Sequence, residues 1–213
     1  MTRSEVLAEL RSMLADTVSP YGWSDDRLMR ALALGQTQFC RDTGFFRDST
    51  NYTITTEAGV AAYAVPAEII EIASIKNGDQ EISKALLPSG DFTPGPPFIY
   101  SLGEDTGKLT LTPTPDGVYT LKLKVWRSAR IPFNHKTGGL YDSEMEIAEE
   151  FQFAPIEWAA SKLLGDHDSE RQDPVKAADH AANYKVLKNE GKRAFRRQHG
   201  ELPTVTANPI YLV

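Results

Sequence analysis

The chain has 213 residues, 41% of them apolar and 24% charged, with a formal net charge of -6. This is ordinary globular composition, enough for one sizeable core or two small ones. No window approaches the ~20 consecutive apolar residues of a membrane helix, and Met1-Thr2-Arg3-Ser4-Glu5 lacks the apolar stretch of a secretion signal, so a soluble protein made in the cytoplasm, with no membrane partner, is expected.

Thr2 and Glu5 stand at capping-box spacing, and Val6, Leu7, Leu10, Met13 and Leu14 follow along one stripe, which predicts an amphipathic helix. Ser19-Pro20-Tyr21-Gly22 breaks it. Ser24 then caps a second helix in which Leu28, Ala31, Leu32, Gly35 and Phe39 share a side until Thr43-Gly44, and the two read as a helical hairpin.

From Asn51 the period becomes two. Tyr52, Ile54 and Thr56 alternate with polar residues, Glu57-Ala58-Gly59 turns the chain, and Val60 to Val65 returns before Pro66, which predicts a first β-hairpin. Asn77-Gly78 predicts a second hairpin with a type I′ turn, pairing Ala73 with Ile82 and Glu71 with Lys84. Pro88 to Pro97 is too proline-rich for regular structure and reads as a surface loop. Strands near 98–102, 108–112 and 118–126 follow as a meander, the last turning Tyr119, Leu121, Leu123 and Val125 inward and Thr120, Lys122 and Lys124 to water.

After a polar loop containing Gly138-Gly139, Ser143 and Glu146 make another capping box. Ile147, Phe151, Trp158, Leu163 and Leu164 then belong to a third helix that Pro155 should kink and Gly165 ends. Asp173-Pro174 caps a fourth helix running toward His199, with a narrow seam of Ala177, Ala181, Tyr184, Gly191 and Phe195. The fold class this order predicts is α+β. Helix pairs from residues 1–48 and 131–199 form a four-helix bundle, residues 49–130 are an inserted antiparallel β-domain, and residues 200–213 are an extended C-terminal arm whose apolar end wants a partner.

A single cysteine, Cys40, excludes an internal disulfide, and His135, His167, His180 and His199 show no recurrent metal spacing. There is no Gly-rich phosphate loop, no Gly-x-Ser-x-Gly and no His-Glu-x-x-His. The residues therefore predict no catalytic, cofactor or metal site, and the chain does not read as an enzyme. His167-Asp168 with His180 would need further ligands to hold a metal, and it lies in a polar interhelical stretch. Glu144 and Glu146 sit where a helix N-terminus favours negative charge; with Glu149 and Glu150 they read as solvated carboxylates rather than acid-base groups. Cys40 reads as a packed thiol rather than a nucleophile, and Trp23, Trp126 and Trp158 as core or helix-entry residues rather than a stacking platform.

Lys185 to Arg197 holds six basic residues against Glu190, a local charge of +5 that leaves -11 for the rest of the chain. Within it Lys185, Lys188, Lys192 and Arg196 share one helical face. That stripe either touches phosphates or complements a helix C-terminus and an acidic neighbour in the same or an adjacent subunit; the acidity of the remainder favours the second reading.

Trp23-Ser24-Asp25-Asp26 with Leu28, then Thr56-x-x-Gly59-x-x-x-Tyr63-x-Val65-Pro66, then Leu109-x-Leu111-x-Pro113-x-Pro115, the Tyr119 to Trp126 strand and the closing helix pair together resemble one known family. This is the head-to-tail adaptor, or connector, family of tailed phages, especially the short-tailed type. Val65 stands where leucine is commonest in that pattern, and the 130–142 loop matches nothing in it. The resemblance implies a structural virion protein at the head-tail junction. It would form a dodecameric ring beneath the portal protein, bear tail or nozzle proteins, and let DNA pass unread through a central channel, without a cofactor. It also implies that the arm from Glu201 docks on the portal through Pro203, Val205, Pro209, Ile210, Tyr211, Leu212 and Val213, the prolines lowering the entropy lost on docking. The rival readings are a tail-tube or tail-completion protein, a nucleic-acid-binding module using the basic stripe, and an enzyme with a site between loops 86–97 and 130–142.

Overall fold

A computed structural model describes residues 1–44, 46–85, 92–102, 107–130, 145–166 and 171–199. Gly138-Gly139, Ser143, Glu144, His167-Asp168 and the arm with Pro203, Val205, Pro209, Ile210, Tyr211, Leu212 and Val213 lie outside the described residues.

Local chemistry sets the helix ends. Thr2 caps α1 (Arg3–Met13) in a reciprocal box: its Oγ1 accepts the Glu5 N–H at 3.3 Å while Glu5 Oε2 accepts the Thr2 N–H at 2.7 Å. Ser24 caps α2 (Asp25–Thr43), which Gly44 ends at φ 65°, a conformation glycine adopts without strain. Asp173 caps α4 (Pro174–His199), its Oδ1 accepting the Lys176 N–H at 3.0 Å. The third helix is shorter than predicted. A single 3-10 turn at Glu149–Phe151 precedes α3 (Phe153–Leu164), so Pro155 falls in the first turn, where its missing N–H has no intrahelical partner to lose, and the expected mid-helix kink does not arise.

Among the described residues eight strands follow one another between α2 and α3: β1 (Phe46–Asp48), β2 (Thr53–Thr55), β3 (Ala62–Ala64), β4 (Ile69–Asn77), β5 (Gln80–Lys84), β6 (Ile99–Leu102), β7 (Lys108–Thr112) and β8 (Thr120–Arg127). They form a single sheet in the order β1-β8-β4-β5-β6-β7-β3, with β2 also on β8. The Glu57 to Gly59 turn exists, with the Val60 N–H donating to Glu57 O at 3.2 Å. The strands it joins do not pair with each other, however: β2 pairs with β8 and β3 with β7. The predicted first hairpin is therefore replaced by a bridge between opposite edges of the sheet. In a flat sheet six strand spacings would separate those edges, about 29 Å. The chain from Thr55 to Ala62 reaches about 25 Å at most. The sheet must curl, and it does so into a half-barrel.

The second hairpin exists in a different register. Ile75 opposes Ile82 and Lys76 opposes Glu81, leaving Gly78-Asp79 at the tip with Gly78 at φ 59°. A glycine at the first central position suits a type II′ turn. This register stacks two fully buried isoleucines, where the predicted one would have set Ala73 against Ile82. The meander also fails at its last step. Strands β6 and β7 pair as expected, but β8 crosses to the other side of the sheet and pairs with β4. Its alternation holds, with Leu121, Leu123 and Val125 buried and Thr120 and Lys122 exposed.

The predicted four-helix bundle with an inserted antiparallel β-domain is overturned. The chain forms a strand-rich α+β fold, four helices beside an eight-stranded curled sheet, and the sheet is mixed because β5 and β6 run parallel. The segment between Lys84 and Ile99 supplies the crossover of a dozen or more residues that parallel pairing needs. Among the helices, α3 is the hub. It buries Ala154, Ile156, Ala159, Ala160, Leu163 and Leu164 on several sides, against α1, α2 and α4. A helix apolar nearly all round has no single stripe to present, so it packs against three helices at once instead of forming one quarter of a bundle. One core lies among the helices around Leu10, Leu32, Phe39 and Ile156, and a second lies inside the curled sheet around Ile75, Ile82, Leu109 and Leu123.

Candidate assembly surfaces

Two networks of charge pin the connections between elements. The chain between β1 and β2 loops out around Asp48, whose Oδ1 accepts the Thr50 and Asn51 N–H groups at 3.0 Å each. Its Oδ2 receives Arg130 at 2.5 Å and lies 3.6 Å from Arg127 Nε, an ion contact too long for a hydrogen bond. Arg127 in turn reaches Glu146 at 2.5 Å and covers the Phe46 ring. Burial opposes the Asp48 charge, but the Thr50 and Asn51 donors and the Arg130 guanidinium outweigh it and hold the carboxyl well below the usual carboxylate range. Glu146, expected at a helix N-terminus, serves this network instead. A second network closes the α1–α2 corner. Buried Asp16 takes Arg11 at 2.6 Å, Arg171 at 3.2 Å and the N–H groups of Gly22 and Trp23, while Arg11 also contacts Asp25. The Asp48–Arg130, Arg127–Glu146 and Asp16–Arg171 links join residues 19 to 155 positions apart and carry no local sequence signal, whereas Arg11, Asp16 and Asp25 lie within fourteen residues of one another.

The basic stripe stays on one face of α4. Lys188 Nζ lies 3.6 Å from Asp42 Oδ2, which also accepts the Tyr184 hydroxyl at 2.8 Å. Burial, with that hydrogen bond, pushes the Tyr184 phenol far above its ordinary value. Lys192 and Arg196, with Arg41, Glu71, Trp126 and Phe195, line a cleft of about 290 Å³ where the last turns of α2 and α4 meet the sheet. Two helix C-termini concentrate partial negative charge there, which cations offset. Lys185 is exposed.

The remaining residues weighed in the sequence fall apart spatially. His180 Nδ1 lies 2.7 Å from Glu157 Oε2, between α3 and α4, and among the described residues no three His, Cys, Asp or Glu side chains are placed to hold a metal ion. Glu149 and Glu150 are exposed in the 3-10 turn. Trp23 is buried, whereas Trp126 and Trp158 are half-buried on different elements. Of the α4 seam, Ala177, Tyr184, Gly191 and Phe195 are buried but Ala181 is exposed. Cys40 is fully buried, and burial pushes its thiol up to about 12. Native protein at pH 8 is therefore expected to resist iodoacetamide at Cys40, with modification following the rate of unfolding; rapid native-state labelling would contradict the packed thiol.

What the structure leaves uncovered is apolar surface. A groove of about 490 Å³ runs between α2 and α3, with exposed Leu34 over Ala31 and Leu163, rimmed by Arg27, Arg30 and Lys162. Val175 and Val186 stand exposed on α4, and Val60, Phe92, Phe98 and Val118 on the loops of the sheet. Sequence reasoning missed the groove, since Leu34 sits in a helix whose buried stripe was already satisfied. No helix of the described residues is long and apolar enough to cross a membrane.

Apolar surface gathered into a groove, as between α2 and α3, suits contact with another protein. An assembly component is the class of protein that such a surface fits. Over residues 1–206 the sequence matches the SU10 adaptor protein family, and the chain belongs to it. It is accordingly a phage adaptor with a structural role, interacting with other head and tail proteins of the particle. Among curated proteins none matches the sequence.

Proposed function

We propose that the chain is a head-to-tail adaptor whose copies form a ring between the portal and the tail, leaving a channel for DNA. Membership of the adaptor family across residues 1–206 is the observation that carries this reading. The exposed apolar surfaces support it, because a component of a closed assembly must present several contact patches at once. The work is geometric: identical contacts between neighbours multiply weak interfaces into one stable seam, and no substrate is transformed. Twelve copies is the ring size, by likeness to the connector family. The arm through Pro203, Val205, Pro209, Ile210, Tyr211, Leu212 and Val213 docks on the portal. An acidic protein lets DNA slide past without gripping its phosphates. The cations Lys192 and Arg196 are accounted for by the helix C-termini beside them, so a dedicated nucleic-acid-binding role is not favoured.

Electron microscopy of the purified chain mixed with its portal protein tests the reading: rings capping the portal are expected. Removing residues 203–213 should leave the circular dichroism spectrum and melting unchanged while abolishing stable joining to the portal. Portal rings capped as well by the truncated chain as by the full one would refute the docking arm.

A further inference from the structure

Four turns meet at one end of the curled sheet: residues 56–61, 78–79, 92–98 and 113–119. The strand register brings them together, since Thr55 opposes Thr120, Asn77 opposes Leu121, and Ile99 opposes both Ser83 and Thr112. The helices adjoin the other end of β8, which runs about 20 Å from here to Trp126, where α2 and α4 end. Residues of the pattern noted in the sequence tie these turns down. The Tyr63 hydroxyl accepts the Glu57 N–H at 2.9 Å and donates to Val60 O at 2.8 Å. Buried Thr56 accepts the Tyr119 N–H through Oγ1 at 2.8 Å and donates to Gly117 O at 2.9 Å. The Gly59 N–H donates to Pro115 O at 2.8 Å, and the Gly95 N–H to Thr114 O at 3.0 Å.

Held in this way, the turns still expose apolar side chains: Val118 at 74%, Phe98 at 40%, Phe92 at 39% and Val60 at 38%. Phe92 and Phe98 pack edge to face, their ring centroids 5.7 Å apart. None of the four belongs to either core. Apolar groups on fixed turns have little ordering entropy left to lose on contact, which favours docking. The charge on the turns has one sign. Glu57, Asp79 and Asp116 are exposed there, and the four turns carry no lysine or arginine. Lys76 and Lys122 stand further back on β4 and β8, with Lys76 opposite Glu81.

We propose that this tip docks a tail protein of the particle, one whose apolar surface is bordered by lysines or arginines. The inference rests on the adaptor reading, which gives the portal to the arm and leaves the other junction to be made. Helix α4, from which that arm continues, ends beside Trp126 at the far end of β8 from the tip, so the two contacts do not compete for one surface. A second copy of the chain fits less well, because outside residues 185–197 the chain carries -11 and like charges oppose contact. DNA is disfavoured for the same reason.

The test is binding of each purified tail protein of the particle in turn to complexes of the full-length chain with its portal protein, read by electron microscopy and by sedimentation across a salt series. Val60→Asp and Val118→Asp together, both at exposed positions, should keep the native circular dichroism spectrum and portal capping, and weaken tail-protein binding by about tenfold or more. Glu57→Lys with Asp79→Lys tests the same surface without touching its apolar groups: binding should weaken and its decline with salt should flatten. Glu149→Lys with Glu150→Lys, in the 3-10 turn, should change neither. Undiminished tail-protein binding by the Val60→Asp, Val118→Asp variant overturns the proposal and leaves the adaptor reading intact. So does a variant that loses portal capping or self-association instead, since the tip then meets the portal or another copy. Wild type that caps the portal and takes no tail protein overturns it as well. A wild-type chain that binds neither portal nor tail protein overturns the adaptor reading, and this proposal with it.

Discussion

Gly35→Ala should destabilise the chain by about 3 kcal/mol, lowering its melting temperature by roughly 6–12 °C. At Gly35 helices α2 and α3 cross so closely that an added Cβ would stand 2.7 Å from the Pro155 carbonyl oxygen and 3.2 Å from its Cα. Backbone atoms of a buried helix cannot rotate away, so the helices must separate, and the packing around Leu32, Phe39 and Ile156 separates with them. In an exposed helix the same change would stabilise by up to about 1 kcal/mol. Sign therefore decides the matter: thermal melting that rises in Gly35→Ala would mean the two helices do not cross as described. Gly191 provides the contrast, because its added Cβ would meet the Phe39 ring and the Thr43 methyl group, side-chain atoms with more freedom to shift.

Asp48→Ala should cost about 3–5 kcal/mol, the usual penalty for stripping one member from a buried ion network, here the carboxylate that Arg130 meets at 2.5 Å and that lies 3.6 Å from Arg127, which then keeps Glu146 alone. Asp48 also supplies the acceptors that hold the Thr50 and Asn51 N–H groups, so the loop between β1 and β2 loses its anchor in the same step. The pH dependence has a definite sign. The folded carboxyl titrates below its unfolded value of about 3.9, so its contribution is complete above that value and is lost as pH falls through the folded one. Urea unfolding midpoints of wild type should thus fall below about pH 4 more steeply than those of Asp48→Ala, and parallel curves would show that Asp48 is not the group responsible.

The legible parts of this chain were those decided within a few residues. The Thr2–Glu5 box, the Ser24 and Asp173 caps, the Gly44 stop and the inward alternation of Leu121, Leu123 and Val125 all follow from contacts no further than four residues apart or from a simple period. Pairing was not legible. Asn77-Gly78 is a strong turn signal, but moving the tip one residue on brings Ile75 against Ile82, and burying two isoleucines outweighs a turn preference. Likewise nothing near Glu57 to Gly59 announces that the strands on either side belong to opposite edges of one sheet.

The candidate surfaces divide the same way. The face shared by Lys185, Lys188, Lys192 and Arg196 was readable from spacing, but its setting was not. That the last turns of α2 and α4 meet beside Lys192 and Arg196, and that Asp42 waits for Lys188, are facts of packing between segments over a hundred residues apart. Leu34 was invisible as surface because periodicity shows which residues of a helix agree with one another, not what the far side will meet.

Taken alone, the sequence determined the helix boundaries at Thr2, Ser24, Gly44 and Asp173, the position of most strands, the inert character of Cys40 and the family resemblance. Only the tertiary structure decided the sheet order, the parallel β5–β6 pair, the curl, the hub position of α3 and the Asp48–Arg127–Glu146 lock. The physical reason is range. Caps, turns and periodicities are settled by interactions between near neighbours, whereas strand partners and ion networks are chosen by the burial of the whole chain, in which distant segments compete for the same places.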